Sequence, residues 1–223
     1  MNAKTIKHND YVKSAIVIAI IVAVVLGFFV GLRVALNTPV PVRVVESGSM
    51  CVPYDDSCDG WLSLNHPFAQ TLHKGDIIII QGVDPKDLNT NYPNSDIIVY
   101  ENPTDLSATP IVHRIVTSYE VNGTLYFQTK GDGNGQKWPA VPSPSDYDSN
   151  TLWGFNGEGV PQNLVVGRVV MRIPWFGHLA LFMQTNPWGL PLVIALIILL
   201  VIVEFVIPVL KKKKPRIAEE TKK

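Results

Sequence analysis

Three observations predict a mainly β protein, a small antiparallel β domain flanked by two transmembrane helices. Two long apolar runs lie near the ends of the 223-residue chain. Between them sit short runs rich in Val, Ile, Tyr and Thr, separated by Pro, Gly, Asn and Asp. Charge is segregated within a formal total of zero: residues 1–14 carry net +2, residues 33–187 net −6 and residues 211–223 net +5. No basic face is implied, so no nucleic-acid partner is expected. Hydrophobic residues at 47% and charged residues at 17% exclude a disordered chain. Two cysteines are too few for a disulfide-built mini-fold.

The first anchor is read as residues 15–36. Its uncharged core, Ala15–Leu32, rises about 27 Å as a helix, roughly a hydrocarbon thickness. Arg33 follows directly and no small-x-small pair is well placed, so the segment reads as retained rather than cleaved. The second anchor is read as residues 188–210, with Glu204 as its one charge and Pro191 in its first turn. Lys and Arg gather beside membrane spans on the cytoplasmic side. Residues 1–14 and the basic tail 211–223 are therefore expected in the cytoplasm. Residues 37–187 form the extracytoplasmic β domain of a two-pass cell-membrane protein, with the lipid bilayer as a partner.

Within that domain the strand-like runs are Val40–Glu46, Asp76–Ile80, Asp96–Tyr100, Ile111–Val121, Thr124–Thr129 and Leu164–Ile173. Asn122-Gly123 lies between two of them and predicts a hairpin, because both residues tolerate positive φ. Asn122-Gly123-Thr124 is also a glycosylation acceptor pattern. Long irregular stretches at 51–74, 83–95 and 131–163 are expected to carry function or cover an edge. The aromatic segment Phe176–Trp188 reads as a strand end leading into the second anchor, or as a belt on the outer leaflet.

Chemistry gathers in three places. Ser47-Gly48-Ser49-Met50 follows a β run, and a serine beside glycine exposes its hydroxyl where backbones approach closely. His113 lies in the apolar run Ile111–Ile115, where a neutral imidazole can serve as a general base. Thr129-Lys130-Gly131-Asp132-Gly133-Asn134 follows the hairpin and sets a carboxylate just past a strand, where it can orient an imidazole or cap a turn. Cys51 and Cys58 allow a disulfide on the outer side. With His66 and His73 their spacing is wider than common zinc motifs, and no metal site is expected.

Taken in order, S-G-S-M, K-G-D-I at Lys74–Ile77, V-H-R-I and K-G-D-G-N resemble the type I signal peptidase family. The Gly167–Pro174 run is similar to that family's closing strand. Histidine at 113 in place of a lysine resembles the archaeal and endoplasmic-reticulum branch, and two anchors are compatible with an archaeal enzyme. The resemblance implies a β domain of signal-peptidase type. It would be a serine endopeptidase that removes signal peptides after small residues at −1 and −3. Ser49 matches the nucleophile and His113 the general base. Ser47 and the backbone N–H of Ser49 would form the oxyanion hole. Asp132 matches the family's G-D-x-N aspartate. A second family aspartate falls where this chain has an insertion, so Asp148 is favoured as the His113 partner, with Asp132 as its rival.

An extended substrate would add as a strand against Val42, Val44 and Val45 and against Pro110 and Val112. Partners are then signal peptides of secretory precursors and the protein-export machinery. No cofactor is needed. The competing expectation is a non-catalytic membrane-tethered β domain that binds exported proteins or surface glycans.

Overall fold

A computed structural model describes residues 3–52, 71–151 and 158–203. The chain divides into two compact units, Met1–Gly177 and His178–Lys223. In the first unit, helix α1 spans Ala3–Ala35. It therefore begins inside the stretch read as a cytoplasmic tail, which contains no Pro or Gly to stop a helix. Its segment Ile16–Ala35 is long and apolar enough to cross a membrane. The helix ends on Asn37, whose φ of 49° is left-handed. Thr38 N–H reaches Arg33 C=O and Asn37 N–H reaches Val34 C=O, a Schellman end that satisfies the last carbonyls. Gly82 N–H then binds Leu36 C=O at 2.8 Å, which ties the helix end to the sheet.

Seven strands follow: β1 Val42–Val44, β2 Ile77–Gln81, β3 Ile97–Tyr100, β4 Ile111–Val121, β5 Thr124–Lys130, β6 Val160–Pro161 and β7 Val165–Ile173. They form one antiparallel sheet in the order β1-β2-β7-β3-β4-β5-β6. β4 and β5 are joined by Asn122-Gly123 with φ of 50° and 79°, the mirror-image turn that matches strand twist. β3 is buried at every position, as a strand covered on both faces must be. Ile97 and Val99 join a core with Val45, Met50 and Ile80. Ile98 and Tyr100 join another with Ile115 and Phe127. β6 is too short to leave a periodic signal and was not legible in the sequence.

Lys74-Gly75-Asp76-Ile77 is the turn into β2. Buried Asp76 accepts from His73 N–H at 2.9 Å and from Arg172 of β7 at 3.3 Å. This motif therefore braces two neighbouring strands.

Helix α3 spans Gly177–Thr185, starting at the last residue of the first unit, and α4 spans Gly189–Val201 in the second. The expected strand end over Phe176–Trp188 is corrected: β7 stops at Ile173, and Leu, Ala, Met and Gln favour a helical turn after Gly177. α3 and α4 bend by 118°. Among the described residues α1 is the one helix sufficient to span a membrane by itself, and α3 with α4 pass that test only as a bent pair. The far part of the second anchor, with Glu204, and the tail 211–223 lie outside the described residues.

Candidate active site

Ser49 sits in the turn after β1, and His113 is 3% exposed near the start of β4. Asp148 opens the one-turn helix α2, Asp148–Thr151, and is fully buried. Ser49 Oγ lies 2.8 Å from His113 Nε2. Asp148 Oδ2 lies 2.6 Å from His113 Nδ1. With Nδ1–H donated to the carboxylate, Nε2 is free to accept from the serine hydroxyl.

The carboxylate is held by more than the imidazole. Tyr100 OH donates to Asp148 Oδ2 at 3.0 Å, and Thr129 Oγ1 lies 2.7 Å from the same oxygen. Burial and the adjacent Asp148 push the Tyr100 phenol well above its ordinary range, so it stays protonated and donates. Neither Tyr100 nor Thr129 carries a role from the sequence: Tyr100 reads there as an ordinary strand residue, and Thr129 only opens the run that holds Asp132.

Asp132 is 2% exposed and has a different partner. Arg114 reaches it through Nε and Nη2, both at 2.8 Å. Burial raises the Asp132 carboxyl, and Arg114 opposes that shift. The Arg114 guanidinium also donates to Ser95 C=O at 2.9 Å and lies 5.3 Å over the Trp138 ring. Trp138 lies between β5 and α2 and donates its Nε1–H to Pro93 C=O at 2.9 Å, which holds this segment beside the sheet.

The turn that carries Asp132 also packs on the serine loop. Gly133 N–H binds Ser49 C=O at 2.9 Å, and Asp132 N–H meets Met50 Sδ at 3.5 Å. A Cβ at Gly131 would fall 2.5 Å from Ser49 O and 2.9 Å from His113 Nε2. Glycine at 131 is therefore a condition of the close approach between these two segments. Ser47 is exposed, with its Oγ 3.1 Å from Ser49 Oγ. Among the described residues no hydrogen bond engages the Ser49 amide N–H.

A cleft of about 340 Å³ runs past Ser49 and His113. Its walls include Val44, Glu46, Ser47, Pro110, Ile111 and Val112. Backbone direction explains which strand edges are open. Pro41 C=O and Val45 N–H and C=O bond toward β2, so by alternation the groups of Val42 and Val44 point away from the sheet. Ile115 N–H bonds to Asp96 toward β3, so Val112 and Pro110 face the other side, beyond the last β5 partner of β4, Lys130 opposite Arg114. Val45 is a correction to the expected substrate contacts. Its side chain is 2% exposed in the core and its backbone groups are already paired with Asp76 and Gly75. Val42 flanks the cleft on the same edge and is half-buried, but it is not among the lining residues.

Cys51 is disulfide-bonded, and Cys58 and His66 lie outside the described residues. His73 is engaged with Arg172, whose Nη1 lies 3.2 Å from its Nδ1.

These features define a class: a β-sheet protein that carries an apolar helix long enough to cross a membrane and has a serine, imidazole and carboxylate in line at a cleft between two strand edges. Comparison with known proteins agrees with the motif resemblance. The chain is 27% identical over 157 residues to the signal peptidase complex catalytic subunit SEC11 of Pyricularia oryzae, covering 70% of this chain and 72% of that one. It is 25% identical over 173 residues to the protein of that name from Metarhizium acridum, covering 78% and 81%. A third, from Tuber melanosporum, is 27% identical over 179 residues, covering 78% and 79%. The resemblance to the type I signal peptidase family therefore extends beyond the motifs to most of the chain. These relatives are fungal and do not carry the archaeal placement expected from the sequence. No family model and no solved structure matches the chain.

Proposed function

We propose that the protein is a membrane-bound serine endopeptidase that cleaves signal peptides from secreted precursors. Ser49 Oγ attacks the scissile carbonyl while His113 Nε2 takes its proton. The developing oxyanion is held by the Ser49 N–H and the Ser47 hydroxyl. The C–N bond breaks, and His113 gives the proton to the leaving amine. Water then enters and bonds to the acyl carbon as His113 takes its proton; the Ser49 Oγ–C bond breaks, and His113 returns that proton to Ser49 Oγ. Asp148 holds the Nδ1–H tautomer and stabilises the imidazolium. Asp132 supports the turn that shapes the site.

The observation that carries this reading is the in-line contact of Ser49, His113 and Asp148 at 2.8 and 2.6 Å. The open edges at Val42 and Val44 and at Pro110 and Val112 support an extended peptide as the substrate form. Small residues at −1 and −3 would sit against the apolar part of the cleft, Val44, Pro110, Ile111 and Val112. The names of the relatives support precursors with signal peptides as the substrate class. A two-pass topology, with the β domain outside the cell membrane and both ends in the cytoplasm, would set Ser49 a short tether beyond α1. Cleavage sites of precursors lie at that surface, within reach of the export machinery.

The test is cleavage of a secretory precursor by the purified protein in lipid, beside Ser49→Ala and His113→Ala. Both variants are expected to lose cleavage while remaining folded, with Ser49→Ala keeping the parental melting temperature. Near-normal turnover by either one rejects the assignment. If Ser49→Ala still retains precursors without cutting them and the parent cuts none, the binding-domain alternative gains.

A further inference from the structure

We propose that Tyr100 and Thr129 are positioning residues that set the pH range in which His113 works as a base. The two side chains come from strands on either side of His113. β3 pairs with β4 through Ile98 opposite His113 and Tyr100 opposite Ile111. β5 pairs with β4 through Thr129 opposite Ile115. Side chains alternate along a strand, so Tyr100, His113 and Thr129 share one face of three adjacent strands. That face is closed by Ile98, Ile115 and Phe127, none of which exceeds 0% exposure.

The distribution of donors on Asp148 is uneven. Oδ2 is within hydrogen-bond distance of His113, Tyr100 and Thr129. Oδ1 is buried and makes no hydrogen bond among the described residues. The carboxylate's orientation is thus defined through the same oxygen that binds the imidazole. Each neutral donor draws electron density from Oδ2 and stabilises the carboxylate. Removing one makes Oδ2 a stronger acceptor toward the imidazolium, which favours protonated His113. It also makes the carboxylate itself easier to protonate. Both effects act in one direction: the base is lost at a higher pH.

Other charges near this cluster are few. Lys130 on β5 interacts with Asp148 through space, and Asp132 interacts with His113. Neither is altered by a change at Tyr100.

The inference rests on the peptidase reading for its activity readout, so a second readout needs no substrate. Tyr100→Phe keeps the ring and removes the hydroxyl. Its acid limb of kcat/KM is expected to move up by roughly one pH unit, so that kcat/KM falls about tenfold at pH values below the parental limb. Thr129→Val is expected to shift the limb in the same direction. Tyr126→Phe, whose ring stacks on Tyr119, serves as the control and is expected to leave the profile unchanged. In parallel, the titration of His113 is followed by NMR in the full-length protein and in Tyr100→Phe. A midpoint displaced upward supports the proposal even where no precursor is cut. Superimposable His113 titrations in the two proteins overturn it. If Ser49→Ala still cleaves, the peptidase reading fails while the NMR comparison still decides the role of Tyr100.

Discussion

Two buried aspartates stand beside consecutive residues of one strand, and they do different things. Asp148 meets His113, and Asp132 meets Arg114. His113 and Arg114 point to opposite faces of β4, as neighbours on a strand must. Both carboxylates are at most 2% exposed. The difference lies in the partner. A guanidinium is charged at every accessible pH, so the Arg114–Asp132 pair is a fixed brace with bidentate geometry. An imidazole can accept and release a proton at a ring nitrogen, and in the proposed mechanism the His113–Asp148 pair is the one that does so. Burial alone therefore does not distinguish the two carboxylates; the chemistry of the partner does, and it is the ground on which the proposed mechanism assigns Asp148 to His113.

The largest expected effect separates the two pairs by activity. Asp148→Asn keeps the shape but loses the charge that holds the imidazole, and kcat/KM for a precursor is expected to fall about 10³–10⁴-fold. A loss smaller than tenfold would mean that Asp148 is not the working partner. On the other face the readout is stability. Arg114→Met leaves Asp132 buried and unpaired, at a cost of about 3–5 kcal/mol in unfolding experiments. Replacing both, as Arg114→Met with Asp132→Leu, is expected to recover much of that loss. An Arg114→Met protein with the parental unfolding transition would remove the distinction between brace and shuttle.

A smaller effect probes the link between the two faces. Gly131 joins the Asp132 turn to Ser49 and His113. Gly131→Ala is expected to push the serine loop away from the imidazole and to lower kcat about 10²-fold while KM changes little. Unchanged kcat would show that the loop yields without cost. The smallest effect concerns Lys130, buried beside both pairs with its ammonium donating to Gly131 C=O at 2.8 Å. Burial lowers its pKa below the ordinary 10.5, against the pull of Asp132, Asp146 and Asp148. The unfolded chain then binds more protons between the lowered folded value and 10.5. Stability should rise with pH across that window. Lys130→Met is expected to abolish this alkaline rise in chemical denaturation, and a slope that persists would assign it to another group.

Much of the scaffold was legible because its signals are local. The run Ile111–Val121 matches β4 at both ends, and Asn122-Gly123 specifies the turn by the φ angles it tolerates. Ser49 and His113 stood out because their motifs occur in order along the chain. Other features left no local trace. β6 is two residues long and exists only because β5 offers it an edge. The helix at Gly177–Thr185 replaced an expected strand end, since an apolar aromatic run suits either state. Val45 was expected at the substrate edge, but edge and core alternate residue by residue. Only the pairing of 41 and 45 with β2 determines which set is free.

From the sequence alone came the long apolar helix, the mainly β domain, the hairpin and the candidate serine and histidine. These follow from composition, period and turn chemistry, each decided within a few residues. Which carboxylate faces the histidine came only from the tertiary structure. Asp148 lies 35 residues from His113, 48 from Tyr100 and 19 from Thr129. Their meeting depends on the register of β3, β4 and β5 and on where the segment between β5 and α2 packs. Asp132, much nearer in sequence, is turned to the opposite face by the alternation of a single strand position.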